Sequence, residues 1–313
     1  MKRLEMPFKE DVFKEFIKII GWETIDKWIE FCERNKLISH LKATEENKLK
    51  DDWIWFILLP LISQAYNLCI HDSNRKIIGI SALPGTGKST LGVLIEKLSL
   101  NLNLKVAVIS IDDFYWPKKE MDSAVINNPW KVSRGFPGSH SVKLMKEKLI
   151  NWKKTGKLNV PTFDKSLNNG LGDRSYWRNE TADLVVIEGW FLGVKPSSSK
   201  LKENIGIYPP LSSSEILYRL KIQNNLKCYE EVWNLIDIIW HLKPEKFNFL
   251  NLWKKQQERE MFLKKGVALS NDKFLSFLRM LNVSLPYDSF DDINADFRFE
   301  INQDRKLINL YLL

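Results

Sequence analysis

Residues 82–89, with the sequence ALPGTGKS, match the phosphate-binding loop (P-loop, or Walker A motif) with Ala in place of the first Gly. Gly85 and Gly87 allow successive backbone N–H groups to face a phosphate chain, and the helix expected next adds the positive end of its dipole. Lys88 can reach the β- and γ-phosphates, and the Ser89 hydroxyl can ligate Mg²⁺. The residues predicted to bind ATP are Pro84, Gly85, Thr86, Gly87, Lys88, Ser89 and Thr90.

Carboxylates follow two of the predicted strands. Asp112 and Asp113 end the apolar segment 104–111, and Glu188 ends the segment 183–188 after four apolar residues. The carboxyl ends of parallel strands form the edge where open α/β sheets bind ligands. An aspartate there can accept the proton of a substrate hydroxyl that attacks the γ-phosphoryl group, and Glu188 has the Walker B arrangement that holds Mg²⁺. The alternative is that these acids only cap or solvate strand ends.

Two glycine-rich segments lie between those strands. Residues 134–140 (RGFPGSH) end at His140, and residues 160–174 contain Lys165 and Arg174. Cations in such loops can close over phosphates or other anions. A polar surface loop would have a similar composition, and a lone histidine is more often structural than a substrate contact.

Five segments together resemble the D-glycerate 3-kinase family of P-loop kinases, which is related to uridine kinase, pantothenate kinase and phosphoribulokinase. The segments are SALPGTGKSTL, SIDDFY, RGFPGSH, PTFDKSLNNGLGDR and IEGWFLGVKP. The resemblance runs from about residue 76 to 196 and resumes more loosely at 253–258 and in the terminal strand. The DKS…GDR and EGWFLG segments are the specific ones, since the Walker A loop is shared far more widely.

The resemblance implies a kinase that uses Mg-ATP to phosphorylate D-glycerate to 3-phosphoglycerate, as in photorespiration. It favours Asp112 over Asp113 as the base, because related kinases place their acid first in the D-x-F-Y pattern. The catalytic residues it implies are Asp112, Lys88 and Arg174, and the metal ligands are Ser89 and Glu188. The implied substrate contacts are Asp113, Tyr115, His140, Lys165 and Arg174.

The strands and helices predicted around these residues indicate an α/β fold. It has a parallel sheet of the P-loop NTPase type with helices on both faces. Strands are predicted at 76–82, 104–111 and 183–188, and helices at 91–101, 141–155, 226–241, 247–265 and 271–282. Residues 1–74 are predicted to form a helical region without chemistry of its own, and residues 75–313 the P-loop kinase domain. Within that domain we expect a lid or surface loop at 195–215, a helical section at 226–282 and terminal strands at 296–312.

Charge, apolar runs and cysteine content narrow the classes of protein and partner that the sequence allows. The net charge of +8 indicates affinity for anions without identifying them. The Lys-rich segment 143–157 lacks the aromatic, zinc-binding or helix-turn-helix patterns of nucleic-acid-binding modules, so no nucleic-acid partner is predicted. The longest apolar run, 53–62, is far shorter than the roughly 20 residues of a membrane span. Three scattered cysteines favour a reducing compartment, and hence a cytoplasmic protein.

Two alternatives remain beside the D-glycerate kinase hypothesis. A sibling P-loop kinase would act on a nucleoside, pantothenate or a sugar phosphate. A regulatory protein would bind ATP without any small-molecule acceptor, although the intact DDFY and GDR segments argue against that reading. The sequence leaves the oligomeric state open.

Overall fold

The computed structural model describes residues 6–43, 49–197, 207–266 and 269–313, so residues 198–206 of the predicted lid or surface loop lie outside the described residues. The helices are α1 (Glu10–Ile19), α2 (Ile25–Arg34), α3 (Leu37–Ala43), α4 (Asp51–His71), α5 (Lys88–Ser99), α6 (Lys118–Ala124), α7 (Val142–Thr155), α8 (Ser213–Trp233), α9 (Phe249–Lys265) and α10 (Asn271–Val283). The strands are β1 (Ile77–Ala82), β2 (Val106–Ser110), β3 (Lys157–Asp164), β4 (Asp173–Thr181), β5 (Leu184–Gly189), β6 (Ile238–Pro244), β7 (Phe297–Ile301) and β8 (Leu307–Leu312).

A six-stranded sheet in the order β2-β5-β1-β6-β7-β8 forms the centre of the fold. The first five strands are parallel, and β8 returns antiparallel to β7. Every residue of β1 and β5 is buried, as expected for strands covered on both faces. The predicted α/β fold, a largely parallel sheet flanked by helices, is confirmed.

Helices α1 to α4 lie within residues 1–74, the region predicted to be helical, and α1 packs on the sheet. Phe16 of α1 makes edge-to-face contacts with Trp240, Phe297 and Phe299, at ring-centroid distances of 5.5, 5.0 and 5.7 Å. Such aromatic contacts add to the free energy gained by burying the rings. The N-terminal helices therefore share one hydrophobic core with β6 and β7.

Helix α4 is continuous over 21 residues and takes π-helical geometry at Ile54–Leu58. Among the described residues it alone is long and apolar enough to cross a membrane, yet 72% of its most apolar window is buried inside the protein. A mostly buried helix of this kind is typical of a protein core, which accounts for its apolar composition without a bilayer.

Two sequence-based predictions of secondary structure are wrong. The helix predicted at 226–241 ends at Trp233, and β6 follows from Ile238, because a short apolar run fits a buried strand as well as a helix. Of residues 160–174, predicted to be a loop, 160–164 and 173–174 belong to the antiparallel strands β3 and β4, and 165–172 form the turn between them. The exposed residues of β4 conceal that hairpin in the sequence.

We predict that Phe16→Ala destabilises the protein by about 3–5 kcal/mol, because it leaves a cavity between α1 and the sheet. Urea denaturation measures the change. Ile19→Ala, on the same helix but with 51% of its side chain exposed, should change the unfolding free energy by no more than about 0.5 kcal/mol. Equal effects of the two substitutions would contradict the packing described for α1.

Candidate active site

The P-loop connects β1 to α5 through two glycines in the left-handed region. Gly85 has φ +79° and Gly87 has φ +117°. A Cβ atom at Gly85 would lie 2.7 Å from the Cβ of Trp253 and 2.8 Å from its carbonyl carbon and oxygen, so α9 packs directly on the turn. Thr86 is buried beneath the loop, where its hydroxyl donates to the Leu83 carbonyl oxygen at 2.6 Å.

Lys88 lies in the loop with its ammonium turned inward. Its Nζ donates to the carbonyl oxygens of Ala82 at 2.8 Å and Leu83 at 3.1 Å, and lies 3.7 Å from Oε2 of Glu188. Burial lowers the pKa of Lys88 and raises the pKa of Glu188, while their mutual attraction opposes both shifts. Ser89 is exposed at the start of α5. The strand register places Glu188 between β1 and β2, level with Ile80 and Ser110.

Asp112 forms an ion pair with Lys165 at the edge of the sheet. Its Oδ2 lies 2.6 Å from Nζ of Lys165, and its Oδ1 lies 3.8 Å from Nε2 of His140. Burial alone would raise the pKa of Asp112, but Lys165 and His140 hold it well below its usual range. Asp112 is therefore an ionised carboxylate at neutral pH, and the Lys165 side chain beside it remains 43% exposed to the pocket.

Asp113 points away from Asp112 and binds the backbone. Its Oδ2 accepts the N–H of Ser110 at 3.0 Å, and its Oδ1 accepts the N–H of Phe163 at 3.1 Å. Burial raises the pKa of Asp113 to about 6, against the effect of those two hydrogen bonds. The carboxylate thus fixes the turn that carries Asp112 and ties it to β3. Because both carboxylate oxygens of Asp113 accept backbone N–H groups, this geometry does not favour the substrate contact predicted for Asp113.

His140 and Tyr115 form the wall behind Asp112. The two rings stack with centroids 4.3 Å apart, and Nδ1 of His140 lies 2.7 Å from the Tyr229 hydroxyl. Burial lowers the pKa of His140 and, together with the Asp112 carboxylate, raises the pKa of Tyr115 well above its usual range. Tyr115 lines the pocket, whereas His140 is buried behind Asp112 and its Nε2 makes no hydrogen bond within the described residues, so its position does not favour the predicted substrate contact.

Arg174 is not brought to the pocket. Its Nε donates to the Tyr115 carbonyl oxygen at 3.0 Å, and its Nη2 is buried. The catalytic and substrate-binding roles predicted for Arg174 therefore find no support in its position, because β4 directs the guanidinium to the back of the Tyr115 turn.

Two buried cations that sequence reasoning did not assign, Arg134 and Lys254, line the pocket instead. Arg134 donates from Nη2 to the Gly170 carbonyl oxygen at 2.9 Å, and Lys254 of α9 lies 2.8 Å from Oε1 of Glu258. Burial lowers the pKa of both side chains. Both residues lie in segments that resemble the kinase family, 134–140 and 253–258, which is the sequence signal that could have identified them. The sequence of neither segment shows which side chain points inward.

These residues surround one pocket of about 390 Å³ beside the P-loop. Its walls include Pro84, Gly85, Gly87, Lys88, Ser89, Thr90, Asp112, Tyr115, Arg134, Lys165, Glu188 and Lys254. Of the residues predicted to bind ATP, Thr86 alone is absent from this wall, since its side chain supports the loop from below. Within the described residues, no three His, Cys, Asp or Glu side chains form a metal site by themselves.

Comparison with known proteins identifies kinases as relatives. The chain is 28% identical over 216 residues to an uncharacterized kinase, mug58, of Schizosaccharomyces pombe, covering 64% of this chain and 76% of that protein. It is also 28% identical over 282 residues to the chloroplastic D-glycerate 3-kinase of Arabidopsis thaliana, covering 82% of this chain but 59% of that protein. No family model matches the chain.

A solved structure of D-glycerate 3-kinase from Cryptococcus neoformans shares the fold, with a TM-score of 0.67 and 24% identity. The superposition covers 81% of this chain and 99% of that one. The resemblance inferred from the sequence motifs is therefore confirmed.

The buried carboxyl of Asp113 generates a prediction about pH. Its pKa is raised from 3.8 to about 6 in the folded chain, so the stability it contributes is complete below pH 3.8 and is lost as the pH rises through 6. Asn at this position stays neutral. The Tm of Asp113→Asn relative to the wild type should therefore rise as the pH increases from about 5 to about 7.5. A constant difference in Tm across that range would contradict the raised pKa.

Proposed function

We propose that this chain is an ATP-dependent P-loop kinase of the glycerate kinase family, with D-glycerate as the acceptor and 3-phosphoglycerate as the product. The observation that carries the proposal is the ionised Asp112 beside a P-loop, in a pocket that also contains the buried cations Arg134 and Lys254. The Asp112 carboxylate can accept a hydrogen bond from a hydroxyl group, and the two cations can bind a carboxylate. D-glycerate presents both groups within one small molecule.

ATP would bind along the P-loop. The N–H groups at the start of α5 have no partner within the helix. Together with the N–H groups of the left-handed glycines, they can donate hydrogen bonds to the phosphate chain. Ser89 and Glu188 would hold the Mg²⁺ of the nucleotide, which neutralises phosphate charge when bound. One or two protein groups plus phosphates are the usual set for Mg²⁺, so this small donor set fits.

Asp112 would orient the attacking hydroxyl of the acceptor and accept its proton. A carboxylate paired with Lys165 is a weak base, so its main contribution is to position the hydroxyl in line with the γ-phosphorus. The O–P bond to the acceptor forms as the bond to ADP breaks, and the proton of the hydroxyl passes to Asp112. If Lys165 turns to the oxygens of the transferring phosphoryl group, Asp112 loses its partner and becomes more basic.

The acceptor carboxylate would bind near Arg134 and Lys254. Arg134 donates to the neutral carbonyl oxygens of Gly170 and Leu171, so its charge remains available to an anion. Lys254 is paired with Glu258 and lines the same pocket. Burial is the main cause of its lowered pKa, and repulsion from Lys165 and Arg134 lowers that pKa further. An anionic acceptor relieves this repulsion, whereas a neutral nucleoside does not.

We predict that ADP release, measured with a coupled assay, is fastest with D-glycerate among D-glycerate, uridine, pantothenate and ribulose 5-phosphate. NMR of the product should show phosphate on the terminal hydroxyl. A higher kcat/KM for any of the other acceptors would overturn the assignment of substrate and favour a sibling kinase. ATP binding with no acceptor-dependent ADP release would favour a regulatory protein.

Asp112→Asn should lower kcat by about 10²–10⁴-fold, because it removes the group that positions the hydroxyl and accepts its proton, while ATP binding persists. The matched control is Asp122→Asn, which removes an exposed carboxylate from the neighbouring helix α6 and should leave kcat unchanged. Turnover within twofold of the wild type in Asp112→Asn would remove Asp112 from this role.

Lys254→Met should raise the KM for D-glycerate by about 10- to 100-fold, the loss expected for a charged hydrogen bond, and leave the KM for ATP unchanged. Lys255→Met removes the same charge from an exposed neighbour on α9 and serves as the control. An unchanged KM for D-glycerate, with saturation measured at constant ATP, would exclude Lys254 from the acceptor site.

A further inference from the structure

The turn between β7 and β8 reaches the P-loop through Arg305. Nε of Arg305 donates to the Gly85 carbonyl oxygen at 2.8 Å, and Nη1 donates to Oε1 of Gln256 at 2.9 Å. The guanidinium also lies over the ring of Trp253, 5.3 Å from its centroid. Arg305 therefore joins the terminal hairpin, helix α9 and the turn of the P-loop, and it lines the same pocket.

The backbone of this turn is held in an uncommon conformation. Arg305 has φ +59°, in the left-handed region that residues other than Gly rarely adopt. The Asn302 side chain accepts the N–H groups of Asp304 at 3.0 Å and Lys306 at 2.9 Å. Such a conformation persists where the surrounding contacts over-determine it, and these positions cluster at functional sites.

The start of helix α4 supports the same turn from the N-terminal side. Oδ2 of Asp52 accepts the N–H of Leu307 at 2.8 Å, and Nε1 of Trp53 donates to the Arg305 carbonyl oxygen at 2.6 Å. Lys50 donates to the carbonyl oxygen of Asp304. Residues separated by about 250 positions in the sequence are thereby joined at one turn.

We propose that Arg305 is a positioning residue of the nucleotide site, and that Asp52 and Trp53 act on ATP binding through it. By holding the Gly85 carbonyl oxygen, Arg305 keeps the peptide units of the P-loop oriented so that their N–H groups face the triphosphate. The role requires only nucleotide binding. This role links the N-terminal helices to nucleotide binding. It does not depend on the identity of the acceptor.

The geometry distinguishes this role from simple packing. Arg305 contacts the P-loop backbone itself, at the glycine where an added Cβ atom would lie 2.8 Å from the Trp253 backbone. Loss of the guanidinium frees the Gly85 carbonyl oxygen and Oε1 of Gln256, and leaves the apolar contacts of the hairpin with α1 and β6 in place. The expected consequence is weaker nucleotide binding in a chain that remains folded.

The primary test measures the affinity for ADP and for a non-hydrolysable ATP analogue by calorimetry, with no acceptor present. Arg305→Ala should raise the Kd for the ATP analogue by about tenfold, as for loss of one charged hydrogen bond, and change the Tm by no more than a few degrees. Lys306→Ala removes the same charge one residue along and should leave the Kd unchanged. A Kd within twofold of the wild type in Arg305→Ala, or an equal loss in Lys306→Ala, would overturn the proposal.

Arg305→Lys separates charge from geometry. It keeps the positive charge but not the planar guanidinium that spans Gly85 and Gln256, so its Kd should lie close to that of Arg305→Ala. Full recovery of wild-type affinity in Arg305→Lys would show that charge alone matters and would overturn the positioning role.

A double-mutant cycle tests the N-terminal part of the proposal. Trp53→Phe keeps the buried ring but removes the N–H that binds the Arg305 carbonyl, and Asp52→Ala removes the acceptor for Leu307. Each should raise the Kd for the ATP analogue by about threefold alone and by no further factor in the Arg305→Ala background. Multiplicative effects, or no effect of either single variant, would contradict action through Arg305.

Discussion

The contact on which the active site depends is the ion pair between Asp112 and Lys165. Removing two charges from water carries a desolvation cost that their attraction offsets only with good geometry and further polar support. That support comes from Asp113, which fixes the turn before Asp112, and from the His140–Tyr229 hydrogen bond behind it. The result is a carboxylate that stays ionised in a partly enclosed pocket.

The order of strands determines which charges meet this pair. Because β5 lies between β2 and β1, its last residues bring Glu188 between the turn of Asp112 and the P-loop. Lys88 then lies within reach of Glu188, so two ion pairs, Lys88–Glu188 and Lys165–Asp112, lie side by side at this edge of the sheet. A nucleotide that adds negative charge at Lys88 would alter the electrostatic balance of both pairs, because Lys88 and Asp112 also interact. Substrate binding and the basicity of Asp112 are therefore physically linked.

The sequence is sufficient to predict the parts of the site that follow from local rules. The P-loop, Asp112 and Glu188 lie next to strands whose apolar runs are evident, and the edge of a parallel sheet brings such residues together. Arg174 was placed wrongly because its direction depends on the β3–β4 hairpin, which polar residues conceal. Arg134, Lys254 and Arg305 line the pocket because tertiary contacts bring segment 134–140, α9 and the terminal turn together at the P-loop. Strand β6 was predicted as helix because its short apolar run fits both periods.

If Lys165 holds Asp112 ionised beside the P-loop, the pKa of the Asp112 carboxyl must rise when the Lys165 ammonium is removed. ¹³C NMR of aspartate-labelled protein, with the Asp112 signal assigned from its absence in Asp112→Asn, measures the titration in the wild type and in Lys165→Met. We expect the Asp112 carboxyl of the wild type to titrate well below the usual 3.8, and that of the Lys165→Met variant to titrate at a clearly higher pH because Lys165 no longer opposes the effect of burial. The same pKa in both proteins would contradict this role of Lys165.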